Sequence, residues 1–130
     1  MDNSNSRKSP LIGIVGVCAS GKTTLIRRLV ALGYACRHIA QEHSYVPSMW
    51  LQITNPDFLI YLQVDYAITI QRKRLNWTQA EYDEQLHRLR HAYAHANFII
   101  DTSQHTLEET VSLIIEKLDA AGIKPSPPAA

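Results

Sequence analysis

Short apolar runs alternating with amphipathic helical patterns predict an α/β domain: a parallel sheet of about four strands with helices on both faces. Three observations carry this. The run Leu11-Ile12-Gly13-Ile14-Val15 is followed at once by a glycine-bounded loop and a helix pattern. Phe58 to Val64 is almost wholly apolar, as a strand covered on both faces must be. Two Thr-x-x-Glu boxes, at Thr78 and Thr106, each open a helix that leads to or follows the short apolar run Phe98-Ile99-Ile100. A chain of 130 residues leaves room for one core, expected over residues 11–122, between a polar lead-in at 1–10 and a Pro-rich tail at 123–130, both expected to be disordered.

In chain order, Leu11 to Val15 forms the first strand. A helix follows from Lys22 to about Leu32, with Leu25, Ile26, Leu29 and Val30 inward and Gly33 as its stop. Ala35 to Ala40 is a weaker second strand, and a short helix is expected around Ser48 to Ile53, closed by Asn55-Pro56. The third strand, Phe58 to Val64, should be central, with Asp65 placed to cap the next helix, which turns Ile68 inward. From Thr78, the steps Tyr82, Leu86, Leu89, Tyr93 and Ala96 predict one helix with one apolar stripe. Phe98 to Ile100 is the fourth strand. The last helix puts Leu107, Val111, Ile114, Ile115 and Leu118 on the core and stops at Gly122.

Composition narrows the function classes. With 13 basic and 12 acidic residues the net charge is +1, so no broad field favours nucleic acid or an anionic membrane, and neither partner is expected. Two cysteines, one of them inside the glycine-bounded loop, predict reduced thiols and a cytoplasmic setting. No apolar stretch has the length of a membrane span.

The chemistry is concentrated at residues 16–23, Gly-Val-Cys-Ala-Ser-Gly-Lys-Thr, a complete G-x-x-x-x-G-K-[ST] string between strand and helix. Such a loop turns successive N–H groups inward on a polyphosphate. Lys22 is then placed for the β and γ phosphates, Thr23 for Mg²⁺, and the positive end of the helix dipole adds to both. Gly16, Val17, Cys18, Ala19, Ser20, Gly21, Lys22, Thr23 and Thr24 are therefore the expected nucleotide-binding residues, with the choice between ATP and GTP left open by the loop itself. A guanine-reading switch is not expected: Glu116-Lys117-Leu118-Asp119 and Asp119-Ala120-Ala121-Gly122 mimic its motifs, but within or at the end of an amphipathic helix and in the wrong order.

Three acids lie at strand ends. Asp65 imitates the acid that closes an apolar strand but also begins a helix; Asp101 suits ordering of its own loop. Glu42 emerges beside Lys22 and Thr23 if the second strand pairs directly with the first, since carboxyl ends of parallel strands share one crevice; the alternative is a solvated loop acid. Arg72 and Arg74, with Lys73, are fork-shaped or point cations near a helix end, suited either to clamping phosphate or to compensating the dipole. His87, His91 and His95 recur every fourth residue, yet the outer two stand about 12 Å apart along a helix and His91 should point away from the core. A three-histidine metal site is not expected. Tyr45, Trp50 and Trp77 suit either base stacking or cover for the sheet, cover being the better fit.

The chain resembles small nucleoside and metabolite kinases of the adenylate kinase and thymidylate kinase type, with a P-loop NTPase fold. The likeness rests on Gly16 to Thr23, on the apolar strand ending in Asp65 and running to Arg72-Lys73-Arg74, and on Phe98 to Ser103 before a Glu-Glu-containing helix. It implies Mg·ATP as cofactor and transfer of the γ-phosphoryl group to a small-molecule or nucleotide acceptor. It also implies arginines of the second block, Arg72 and Arg74, closing over the transfer, and Glu42 as base or metal-side acid. Residues 41–55 occupy the place where such kinases carry an extra strand and helices for the acceptor. A nucleotide-binding sensor or subunit with little or no hydrolysis is the alternative this shortening raises.

Overall fold

The computed structural model describes residues 10–73 and 76–126, with no account of the Lys73 side chain. Residues 1–9 of the expected lead-in, 127–130 of the tail, and Arg74 lie outside them. The strands are β1 (Leu11–Gly16), β2 (Ala35–His38), β3 (Phe58–Gln63) and β4 (Phe98–Asp101); the α-helices are α1 (Lys22–Ala31), α2 (Tyr66–Lys73), α3 (Gln79–Arg88), α4 (Arg90–His95) and α5 (Leu107–Ala120). All pairings are parallel, in the order β2-β1-β3-β4.

Alternation along the central strands separates two cores. Ile12 and Ile14 of β1 and Phe58, Ile60 and Leu62 of β3 pack with Leu25 and Leu29 of α1 and with Val111, Ile114 and Leu118 of α5. The intervening residues Val15, Leu59 and Tyr61 face the other way, onto Trp50, Leu89 and Ala92. The result is the expected sheet between helical layers, with β3 internal. Past Gly122 the chain stays in contact: Ile123 joins the first core, and the Ser126 N–H donates to the Gly33 carbonyl at 2.8 Å.

Several side chains depart from the expected stripes. Val30 is 51% exposed because it lies one helical step beyond Leu29, off the buried arc. Leu107, expected in the core, opens α5 at its rim and is 36% exposed, while Tyr93 is 47% exposed and meets Tyr61 edge to face. The expected single helix from Thr78 is two: Leu89, at φ −93° and ψ 0°, separates α3 from α4. Side chains occupy the carbonyls at this break, Gln41 Nε2 donating to Arg88 at 3.2 Å and Arg90 Nη1 to His87 at 2.8 Å. The short helix expected at Ser48 to Ile53 is instead a wide π turn over Trp50–Thr54, ended by Asn55 in the left-handed region.

Candidate functional site

β1 is flanked by β2 on one side and β3 on the other, so the connections from the carboxyl ends of β1 and β2 lead to opposite sides of β1. The carboxyl end of β1 is where a crevice opens in such sheets. Residues 16–21 loop over this end and lead into α1. The backbone geometry depends on both glycines. A Cβ on Gly16 would lie 2.7 Å from the Leu62 carbonyl and 2.7 Å from Ser20 Oγ, and Gly21 has φ +98°, a conformation only glycine adopts freely. Ala19 is left-handed as well, at φ 65°.

α1 begins without a side-chain cap and without an acid in its first turn, whereas α3 and α5 both carry complete capping boxes. Its first-turn N–H groups have no carbonyl within the helix to meet. A Cβ built on Gly21 meets nothing within 4 Å, and Ser20 Oγ is buried without a hydrogen-bond partner. Open space, an uncapped helix start and an orphaned hydroxyl together fit a polyphosphate.

Lys22 is buried, and its ammonium donates to the carbonyls of Gly16 at 2.6 Å and Val17 at 3.1 Å and to Glu42 Oε2 at 3.0 Å. Glu42 sits on a 3₁₀ turn, Gln41–His43, that follows β2. Because β2 pairs directly with β1, this turn is delivered next to the loop. Both members of the ion pair are nearly inaccessible, and Glu42 Oε1 is buried with no hydrogen-bond partner. Thr23 and Thr24, in the first turn of α1, are exposed and line a cavity of about 310 Å³ with Cys18, Lys22, His38 and Glu42. Burial, then the nearby Lys22 charge, holds the His38 imidazole below its ordinary range.

Arg72 reaches the loop from α2, but as a strut. Its guanidinium donates to the carbonyls of Ala19 at 3.2 Å and Ser20 at 3.4 Å, and to Thr102 Oγ1 at 3.0 Å and the Thr102 carbonyl at 2.5 Å. Burial lowers its pKa, with Asp101 opposing. A second cavity, of about 300 Å³, lies on this side of the loop between Gly21, Arg72, Thr102 and His105. Asp101 orders its own turn, its Oδ1 accepting from the Ser103 N–H at 2.8 Å. Asp65 heads α2 through its main chain: its carbonyl accepts from the N–H groups of Ile68 and Thr69 at 3.0 and 3.1 Å.

Residues that the sequence did not single out complete the surroundings. Gln85 of α3 is buried; its Oε1 accepts from the Cys18 N–H at 2.9 Å and its Nε2 donates to Cys18 Sγ at 3.3 Å. Gln85 stands three residues after Tyr82 and four before Leu89, on the buried side of its helix, so the available signal was a polar residue at a core-facing position. Thr102 also donates to the Ser20 carbonyl, at 3.1 Å. His91 does not point away from the core: it is half-buried, accepts from Trp50 Nε1 at 3.0 Å and stacks on His95. Trp50 covers the sheet, Trp77 packs on Tyr66 and Tyr82, and Tyr45 is exposed beneath the Arg88 guanidinium.

No family model matches this chain, and no curated protein matches it. Among the described residues, no helix is long and apolar enough to cross a membrane.

Proposed function

We propose that this chain binds Mg·ATP at residues 16–24 and transfers the γ-phosphoryl group to a small acceptor. The observation that carries the reading is the buried Lys22 ammonium inside a glycine-bounded strand-to-helix loop, paired with Glu42 at 3.0 Å. The Lys22 ammonium directs its three N–H donors at two loop carbonyls and one carboxylate, and a bound nucleotide would draw donors from these onto its phosphate oxygens. Gly16, Ser20 and Gly21 shape the cradle, and the α1 N–H groups face the phosphates. The Thr23 hydroxyl and the Glu42 carboxylate are the oxygens that would hold Mg²⁺, and the bound ion would supply charge neutralisation across the β and γ phosphates. Arg72 fixes the loop that holds them, and the cavity beside Thr102 and His105 is the space for the base.

One observation favours a second reading, a nucleotide-binding sensor or subunit with little turnover. The segment between β2 and β3 commits its buried residues to the fold: the Gln41 side chain is bonded to the Trp50 N–H and to the carbonyls of Val46 and Arg88, and Trp50 is buried against the sheet. The two readings separate in one assay. The protein is mixed with Mg·ATP and a panel of nucleosides, nucleoside monophosphates and small metabolites, and ADP formation is followed. Acceptor-dependent ADP is the expected result; tight binding without turnover selects the sensor. Lys22→Ala should lose about 2–4 kcal/mol of transition-state stabilisation, as for one preorganised donor. Absence of calorimetric heat with Mg·ATP overturns both readings.

A further inference from the structure

We propose that Cys18, Glu42 and His43 form a binding site for a thiophilic divalent cation of the Zn²⁺ class. One ligand atom from each side chain lies within 4.8 Å of the others. His43 Nε2 stands 3.9 Å from Cys18 Sγ and 3.7 Å from Glu42 Oε2. In a tetrahedral zinc site with bonds of about 2.0–2.3 Å, ligand atoms are about 3.6 Å apart, close to the His43 spacings; with Oε2 held by Lys22, Oε1 is the carboxylate oxygen that would take the ion.

An independent observation points to a cation. Glu42 is 97% buried by its 3% exposure, and its Oε1 has no hydrogen-bond partner, while Oε2 is occupied by Lys22. A carboxylate bridging two cations uses both oxygens. Cys18 is also held as a ligand would be: Gln85 grips its N–H and directs an N–H at the sulfur, fixing the side chain from outside the site. His43 is exposed, which gives the ion a path from solvent. A sulfur, an imidazole nitrogen and one carboxylate oxygen select Zn²⁺ or Co²⁺ over Mg²⁺, and three protein ligands leave a fourth position open. Binding replaces the S–H bond by an S–metal bond, with the proton released to solvent.

The site does not rest on the nucleotide reading, although it would take the Glu42 oxygen which that reading gives to Mg²⁺, so the two cations would compete and the titration is run without nucleotide or magnesium. Its test is titration of the whole chain with Co²⁺ under reducing, oxygen-free conditions, followed by displacement with Zn²⁺. The expected result is one equivalent bound with a thiolate-to-cobalt charge-transfer band that zinc abolishes. Cys18→Ser should remove the band, and His43→Ala, at an exposed position that spares the fold, should weaken Zn²⁺ binding at least about tenfold. Cys36→Ala and His95→Ala should leave both unchanged, since burial pushes the Cys36 thiol up to about 12 and His95 faces Trp50 and His91. No band in the unmodified chain, or full affinity in His43→Ala, overturns the site. Calorimetry with Mg·ATP alone is read separately: nucleotide heat without a cobalt band sinks only the metal site, and the reverse sinks only the phosphate reading.

Discussion

Ala19 shows at the residue scale how the loop holds strain. Its left-handed φ of 65° costs an L-residue about 1–2 kcal/mol, whereas glycine adopts it freely at an unfolded-state entropy cost of about 0.5–1 kcal/mol. Ala19→Gly should therefore raise stability by about 0.5–1 kcal/mol, read as a higher urea midpoint at unchanged m value. An unchanged or lower midpoint would show that neighbours of Ala19, rather than its own backbone, set the loop geometry. The same scale explains the two orphaned buried oxygens, Ser20 Oγ and Glu42 Oε1. Each costs the fold about 1–3 kcal/mol, and both lie at the loop where the proposed cation and phosphate groups would supply partners.

Among the elements, the 3₁₀ turn after β2 does the most with the fewest residues. Gln41 caps the π turn by accepting from the Trp50 N–H at 2.8 Å, takes the Val46 carbonyl at 2.9 Å, and meets the α3–α4 break at Arg88. Replacing it by alanine leaves a buried N–H without a partner, so Gln41→Ala should cost about 1–3 kcal/mol in chemical denaturation. It should also displace Glu42, its neighbour, and so weaken the Mg·ATP binding proposed for this site. Nucleotide affinity that survives the stability loss would separate the turn from the site. The capping boxes at Thr78 and Thr106 were legible because each is a local bargain between a hydroxyl and a carboxylate three residues on; both form as the sequence predicts. The break at Leu89 was not legible. One of the donors that meet its carbonyls is Gln41, distant in sequence, and periodicity carries no trace of that contact.

Across the whole molecule, Arg72 ties three parts of the sheet's carboxyl edge together: the loop after β1, its own helix after β3, and Thr102 after β4. Lysine keeps the charge but cannot hold four carbonyl and hydroxyl contacts from one planar fork. Arg72→Lys should cost about 1 kcal/mol, below the usual range for charged hydrogen bonds because the side chain is only partly buried, and should speed amide exchange at Ala19 and Ser20. Unaltered exchange there would mean that Arg72 is spare to the loop. Thr102, on the same edge, has a second hold on Ser20, which is why the conservative substitution is expected to loosen the loop rather than release it.

Local order was written in the chain. The glycine-bounded loop, the stops at Gly33 and Gly122 and both helix caps follow from residue type at fixed spacing, because each depends on backbone geometry or hydrogen bonds within a few residues. Tertiary structure alone decided that β2 lies against β1, that Glu42 consequently meets Lys22, that Gln85 grips Cys18, and that Cys18, Glu42 and His43 converge. These are contacts between segments far apart in sequence, and their geometry is set by which strands pair, a choice made by burial of the whole sheet and not by any local run of residues.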